Sequence, residues 1–213
     1  LIEDSPDIEN VVCIHGLWMP GLIMTVLRRR LEDVGFAGHE FSYQSVVGNL
    51  DDNIARLSDF VDGLAGERVH FVAHSLGGIV ALQTLRRFPE LPVERVVCLG
   101  SPLVDSEPAR LLNKYDWGTT VIGRTVVEGV LEDPIGEWAG PQQIGAIAGT
   151  RPFGVAKFIM PLEDPNDGVV SVAETRLPGI TDHIEMPVTH SGLVFSDDVA
   201  RQVVAFLSDG RFA

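Results

Sequence analysis

Val69-His70-Phe71-Val72-Ala73-His74-Ser75-Leu76-Gly77-Gly78-Ile79-Val80-Ala81-Leu82 changes its period in the middle. From Val69 to Ala73 a β-branched and aromatic run reads as a buried strand. From Gly77 onward Ile79, Val80, Leu82 and then Leu85 follow the spacing of a helix. Ser75 sits at the switch. A serine on so sharp a strand-to-helix turn needs small residues two positions either side, because strand and helix nearly touch there; Ala73 and Gly77 occupy those positions. The stretch predicts a nucleophile elbow in which one methyl, that of Ala73, replaces the usual first glycine.

The same rhythm continues on both sides. Upstream, Val11-Val12-Cys13-Ile14 reads as a strand that ends in the loop His15-Gly16-Leu17-Trp18, followed by a helix over Leu22 to Leu31. Phe41-Ser42-Tyr43 reads as the next strand, and Asn49 to Leu64 as a helix with Ile54, Leu57, Phe60, Val61 and Leu64 on one face. Downstream come strands at Val96 to Leu99, Ile144 to Ala148 and His183 to Val188, and a closing amphipathic helix from Ser196 to Leu207 with Ser196 as its N-cap. Strands that alternate with helices at this spacing predict one α/β domain over residues 1–213, a mostly parallel central sheet with helices on both faces. Such sheets carry their functional loops at the carboxyl ends of the strands.

Between about 103 and 141 the rhythm breaks. Gly118, Gly123, Gly129, Gly136 and Gly140 interrupt short apolar patches that include Val126 and Val130, with Trp117 and Trp138 among them. The segment reads as a cap or lid insertion above the sheet, with Trp18, Val126 and Val130 as candidate substrate-binding side chains. The competing expectation is that these residues pack onto the core.

Composition narrows the function. The 213 residues carry a formal net charge of −14, with a pI near 4.7, which opposes attraction to phosphate backbones and excludes nucleic acid as an expected partner. No apolar run approaches the ~20 residues of a membrane span. Arg28, Arg29 and Arg30 close a helix, where cations complement the dipole, so they are read as a solvated face and not an anion site. Cys13 and Cys98 lie in apolar strands as buried free thiols, which points to a cytoplasmic location; residue 1 is not Met, so a removed upstream signal stays open.

A serine hydroxyl is a poor nucleophile until a base takes its proton, and that base needs an orienting carboxylate. Of the six histidines, His190 follows the last strand directly and precedes the closing helix, where its ring reaches over the sheet edge; His183 begins that strand, at the far end from Ser75. For the carboxylate, Asp167 stands in Pro165-Asn166-Asp167-Gly168, a tight loop that holds one side chain fixed. Asp164 is the runner-up on the same loop, and an ordinary turn aspartate is the bland alternative. His74 reads as packing. The one His pair four residues apart, His70 and His74, falls on a predicted strand and not on a helix, and there is no short Cys pair, so neither metal nor other cofactor is expected.

The chain order Ser75, Asp167, His190 is that of the α/β-hydrolases. With His15-Gly16-Leu17, Ala73-His74-Ser75-Leu76-Gly77-Gly78, Asn166-Asp167-Gly168 and His190-Ser191-Gly192, the sequence resembles that superfamily, most of all its bacterial lipase and esterase branch. It departs in Ala73 and in lacking the leading strands of the full eight-stranded fold. The resemblance implies an oxyanion hole made by the backbone N–H groups of Leu17 and Leu76. It implies further a serine carboxylic-ester hydrolase acting on a lipid-like or small acyl ester. A thioesterase or amidase would use the same three residues, and a non-catalytic ligand-binding member of the fold is the third reading.

Overall fold

The computed structural model describes residues 9–17, 21–64, 68–114, 123–152 and 162–213. Six strands, β1 (Glu9–Ile14), β2 (Ala37–Phe41), β3 (Arg68–His74), β4 (Val93–Leu99), β5 (Gln143–Gly149) and β6 (Asp182–Met186), form one sheet in the order β2-β1-β3-β4-β5-β6. Every neighbouring pair is parallel. The chain winds outward from β1 to β2 and then adds β3 on the other side of β1. The loops that leave β1 and β3 therefore diverge, and the crevice they open is where parallel α/β sheets bind ligands.

Alternation along the strands loads both faces. On β1, Val12 and Ile14 enter the core shared with α2 (Leu50–Asp62) and α3 (Leu76–Arg87); Val11 and Cys13 enter the one shared with α1 (Thr25–Glu32) and α7 (Asp197–Asp209). β4 divides in the same way, Val96 and Cys98 to the first core and Val97 and Leu99 to the second. Burial on both sides is what makes these strands read as continuous apolar runs. It also pushes the thiols of Cys13 and Cys98 up to about 12, so both stay protonated.

The helices start where their caps put them. Asn49 accepts from the Asp52 N–H at 2.7 Å ahead of α2. Ser196, as expected, accepts from the Val199 N–H ahead of α7, whose first turn carries Asp197 and Asp198. β2 differs from expectation: it runs Ala37–Phe41 and ends before Ser42 and Tyr43. As an edge strand paired only with β1 it needs no apolar run, which hid it from a reading based on burial. The arginines of α1 are more engaged than a solvated face requires. Arg28 pairs with Glu40 on β2 at 2.9 Å and Arg30 with Asp197 at 2.5 Å, which ties α1 to an edge strand and to α7.

The stretch expected above the sheet is packed against its side over the part that is described. After α4 (Glu107–Leu112), α5 (Arg124–Val126) runs on as a π-helical turn over Val127–Glu132, and a short α6 (Gly192–Phe195) comes just before α7. Gly129 lies so close to α3 that a Cβ there would sit 2.8 Å from Ile79 Cγ2. Polar bonds fix the same face: Asn53 donates to Thr125 Oγ1 at 2.9 Å, and the Leu50 N–H donates to the Glu128 carboxylate at 2.6 Å. Val126, Val130 and Trp138 are buried in the α2–α3 core, so from 123 to 138 this is not a free-standing cap. Trp18 and Trp117 lie outside the described residues. No helix among the described residues is long and apolar enough to cross a membrane.

Candidate active site

Ser75 connects β3 to α3 at φ 54°, ψ −124°, the one non-glycine residue with positive φ among the described residues. A backbone held in so sparsely populated a region costs about 1–3 kcal/mol and persists only where the surroundings enforce it. Here its N–H donates to the Leu99 carbonyl at 2.9 Å and its carbonyl accepts from the Gly78 N–H at 3.0 Å. The turn is crowded from behind: a Cβ on Gly77 would stand 2.5 Å from the Ile14 carbonyl oxygen, and one on Gly16 2.8 Å from Ser75 Cβ. The glycines at 16 and 77 thus let the β1 loop and the start of α3 close on the serine. Ala73, fully buried, has room for its methyl.

Asp167 and His190 are brought together beside this turn. His190 Nδ1 lies 2.7 Å from Asp167 Oδ2, and the His190 N–H donates to the Asp167 carbonyl at 3.0 Å. The other carboxylate oxygen, Oδ1, accepts from the Val169 and Val170 N–H groups at 2.9 and 2.8 Å. One oxygen therefore fixes the side chain to its own turn and leaves the other aimed at the ring. Gly168, at φ 97°, makes the turn and donates to Asn166 Oδ1. Asp164 is exposed and accepts from the Asn166 amide at 2.8 Å, engaged away from His190. His183 sits at the start of β6, with Nε2 2.8 Å from Thr175 Oγ1. That hydroxyl donates to the Val172 carbonyl at 2.7 Å, so the His183 ring donates to it and braces the turn behind Asp167.

The β1 loop is ordered by His15. Its Nδ1 donates to the Gly16 carbonyl at 2.8 Å, its ring stacks on Tyr43 at 4.5 Å, and the Tyr43 hydroxyl donates back to the His15 carbonyl at 2.9 Å. Burial lowers the His15 pKa, which keeps the ring neutral. Holding the Gly16 carbonyl on one side of a trans peptide turns the Leu17 N–H to the other side. Leu76 opens α3, so its N–H is one of the four at a helix start that have no partner within the helix.

Three neighbours of the candidate site carry no functional signal in the sequence. Tyr43 lies just past the edge strand β2. Gly100 follows β4 at φ 56°, and a Cβ there would press within 2.6 Å of Leu193 Cδ1, 3.0 Å of Asp167 Oδ2 and 3.1 Å of His190 Nδ1. His74, which the sequence presents as packing, contacts the His190 backbone. Val126 and Val130 are buried at 9 % and 4 % exposure; Val130 also borders a cleft of about 560 Å³ with Val104, Leu131 and Pro134. Among the described residues no group of three or more His, Cys, Asp or Glu is placed to hold a metal ion.

Comparisons with known proteins agree with this architecture. The model of a family described as "Alpha/beta hydrolase family" matches residues 11–208. A curated protein from Pantoea ananatis (strain LMG 20103), "Putative carbamate hydrolase RutD", is 31% identical over 121 residues, 51% of this chain and 42% of that protein. The matched part spans less than half the length of that relative. In three dimensions the chain is similar to the mature form of the Bacillus licheniformis lipase BlEst2, with TM-score 0.76 and 20% identity over 96% of this chain and 92% of that one. It is similar also to the metagenomic carboxyl esterase MGS0156, with TM-score 0.67 and 18% identity over 87% and 65%.

Proposed function

Since the chain belongs to the alpha/beta hydrolase family, we propose that it is a serine hydrolase that cleaves carboxylic esters through an acyl enzyme on Ser75. The observation that carries this reading is the conjunction of a strained serine at the carboxyl end of β3 with a His190–Asp167 pair 2.7 Å apart beside the same turn. His190 Nε2 takes the Ser75 proton as Oγ attacks the acyl carbonyl. The imidazolium then gives that proton to the leaving alcohol; a water attacks the acyl carbonyl with His190 again as base, and the acyl–Oγ bond breaks as His190 returns the proton to Ser75 and the carboxylic acid leaves. Asp167 keeps the proton on Nδ1, so that Nε2 is the acceptor, and stabilises the charge that forms. The N–H groups of Leu17 and Leu76 receive the oxyanion, helped by the positive end of α3. Trp18, Val126 and Val130 are proposed to flank the acyl group.

The same machinery acts on other leaving groups, and the 31% identity to a protein named as a carbamate hydrolase favours one second reading, cleavage next to a carbonyl that bears nitrogen. The test is labelling by a fluorophosphonate, followed by turnover of p-nitrophenyl esters, a thioester and an aryl carbamate. Labelling that is lost in Ser75→Ala and turnover that is highest for esters are the expected results. Labelling that persists in Ser75→Ala sinks the assignment, and preference for the carbamate selects the second reading. No labelling and no turnover at all selects the non-catalytic one.

A further inference from the structure

His74 is fully buried, precedes Ser75 in the chain, and touches both halves of the site. Its Nε2 lies 3.0 Å from the carbonyl oxygen of His190. A carbonyl only accepts, so Nε2 carries the proton and donates it. The opposite nitrogen, Nδ1, is buried and makes no hydrogen bond among the described residues, and it faces the β1 loop closely enough that a Cβ on Gly16 would come within 3.2 Å of it. The ring also lies 4.6 Å from the His190 ring, centroid to centroid. One neutral imidazole thus stands between the loop proposed to hold the oxyanion and the loop proposed to hold the base.

We propose that His74 is a positioning residue: its Nε2–H holds the His190 backbone to the elbow, so that residues 75 and 190 are set relative to each other by one side chain. The inference rests on the reading of Ser75 and His190 as nucleophile and base. The other hydrogen bonds of His190 among the described residues, from its N–H and Nδ1, both go to Asp167. A clamp of this kind has to stay uncharged while a positive charge forms on His190, and the site enforces that. Burial, then the neighbouring His190, holds the His74 pKa down at about 3. Even modest misplacement of a base relative to its nucleophile lowers rate steeply, by up to about 10²-fold per ångström.

The two amide variants separate positioning from packing. His74→Gln carries an N–H near the place of Nε2 and reaches the His190 carbonyl; His74→Asn carries it near Nδ1 and does not. With p-nitrophenyl acetate, His74→Asn is expected to lose roughly ten- to a hundredfold in kcat with KM little changed, and His74→Gln to recover most of that loss. Equal rates for the two, whether both low or both wild type, overturn the clamp. Whatever the variants' folding, 15N-histidine NMR of the wild-type protein decides independently. His74 is expected as the Nε2–H tautomer that does not titrate between pH 5 and 8, and an Nδ1–H tautomer or a titration in that range refutes the proposal. His190→Ala measured in parallel keeps the two claims apart. If it is active, the catalytic reading fails. If it is inactive while both His74 variants run at wild-type rate, only the clamp fails.

Discussion

Asp167 and His190 are joined twice, ring to carboxylate at 2.7 Å and backbone N–H to backbone carbonyl at 3.0 Å, while the second carboxylate oxygen of Asp167 accepts two N–H groups of its own turn. The side chain therefore has separable duties. Asp167→Asn keeps an oxygen for the Val169 and Val170 N–H groups but presents an amide N–H to His190 Nδ1. That selects the wrong tautomer, with Nε2 protonated and unable to take the serine proton. The expected loss in kcat is about 10⁴-fold with a melting temperature close to wild type. Asp167→Ala also orphans the two N–H groups, and each buried one costs about 1–3 kcal/mol, so this variant is expected to melt earlier as well. Asp164→Asn is expected to change neither, as its carboxylate serves only Asn166. Ester turnover and thermal unfolding of the three variants check the division.

His15 bears on rate in a different way. Its Nδ1–H orients the Gly16–Leu17 peptide, and its ring packs on Tyr43. His15→Phe preserves the stack and removes both ring hydrogen bonds, that to the Gly16 carbonyl and that accepted by Nε2 from the Tyr43 N–H at 3.4 Å, so it is expected to lower kcat with a smaller effect on KM. The ceiling is the value of one oxyanion donor, about 10²- to 10³-fold. Tyr43→Phe removes the hydroxyl that holds the His15 carbonyl and is expected to fall between His15→Phe and wild type. If His15→Phe raised KM with kcat intact, the loop would serve binding and not the transition state.

Stability is expected to fall on mild acidification. Burial lowers the pKa values of His15, His39, His70, His74 and His183. In the pH range between a lowered native value and the unfolded value of about 6.5, the unfolded chain binds protons that the native chain does not. Their contribution is complete above about pH 6.5 and is lost as pH falls toward the lowered values. For His74 that window extends down to about 3. Urea midpoints are therefore expected to be flat from pH 7 to 8 and to drop by pH 5. His70 offers the sharpest control: it is fully buried, neither ring nitrogen makes a hydrogen bond among the described residues, and Glu9 stands 3.7 Å away, close enough for an ion pair but beyond hydrogen-bond reach. His70→Leu is expected to keep or raise stability at pH 7 and to lessen its fall at pH 5. An unchanged slope in that variant would move the acid sensitivity to the other histidines.

What was legible in the sequence follows from where each signal lives. β1, β3 and β4 are buried on both faces, and each announces itself as an apolar run; β2, at the edge, has Ala37-Gly38-His39-Glu40 and announces nothing. The turns at Ser75 and Asp167 are readable because local chemistry fixes them, the elbow spacing for one and Asn-Asp-Gly for the other. His74 was not. Its partner lies 116 residues away and is a backbone carbonyl, which every residue possesses, so nothing in the sequence marks the pairing. Gly100 is illegible for a related reason: the atoms its missing Cβ spares belong to residues 167, 190 and 193. The segment around Val126 was read for its apolar patches but not for direction, because patches alone do not say whether they face a ligand or α3.

Val130 separates those two directions. It is 4 % exposed, belongs to the core beside α3, and borders a cleft lined by Val104, Leu131 and Pro134 and by the polar Asp105, Arg110 and Lys114. A larger side chain here presses either into the cleft or on the core beside α3, against which Gly129 already brings this turn. If the cleft takes the acyl chain, each CH₂ buried there adds about 0.8 kcal/mol of binding until the chain fills it. Specificity constants for p-nitrophenyl esters are then expected to climb from acetate to a medium chain and level off. Val130→Phe is expected to shorten the optimum by several carbons and to leave acetate turnover unchanged, with up to about 1–3 kcal/mol of stability lost to overpacking. A profile that keeps its shape in Val130→Phe while the melting temperature falls assigns Val130 to the core alone and moves the acyl site to the loop after β1.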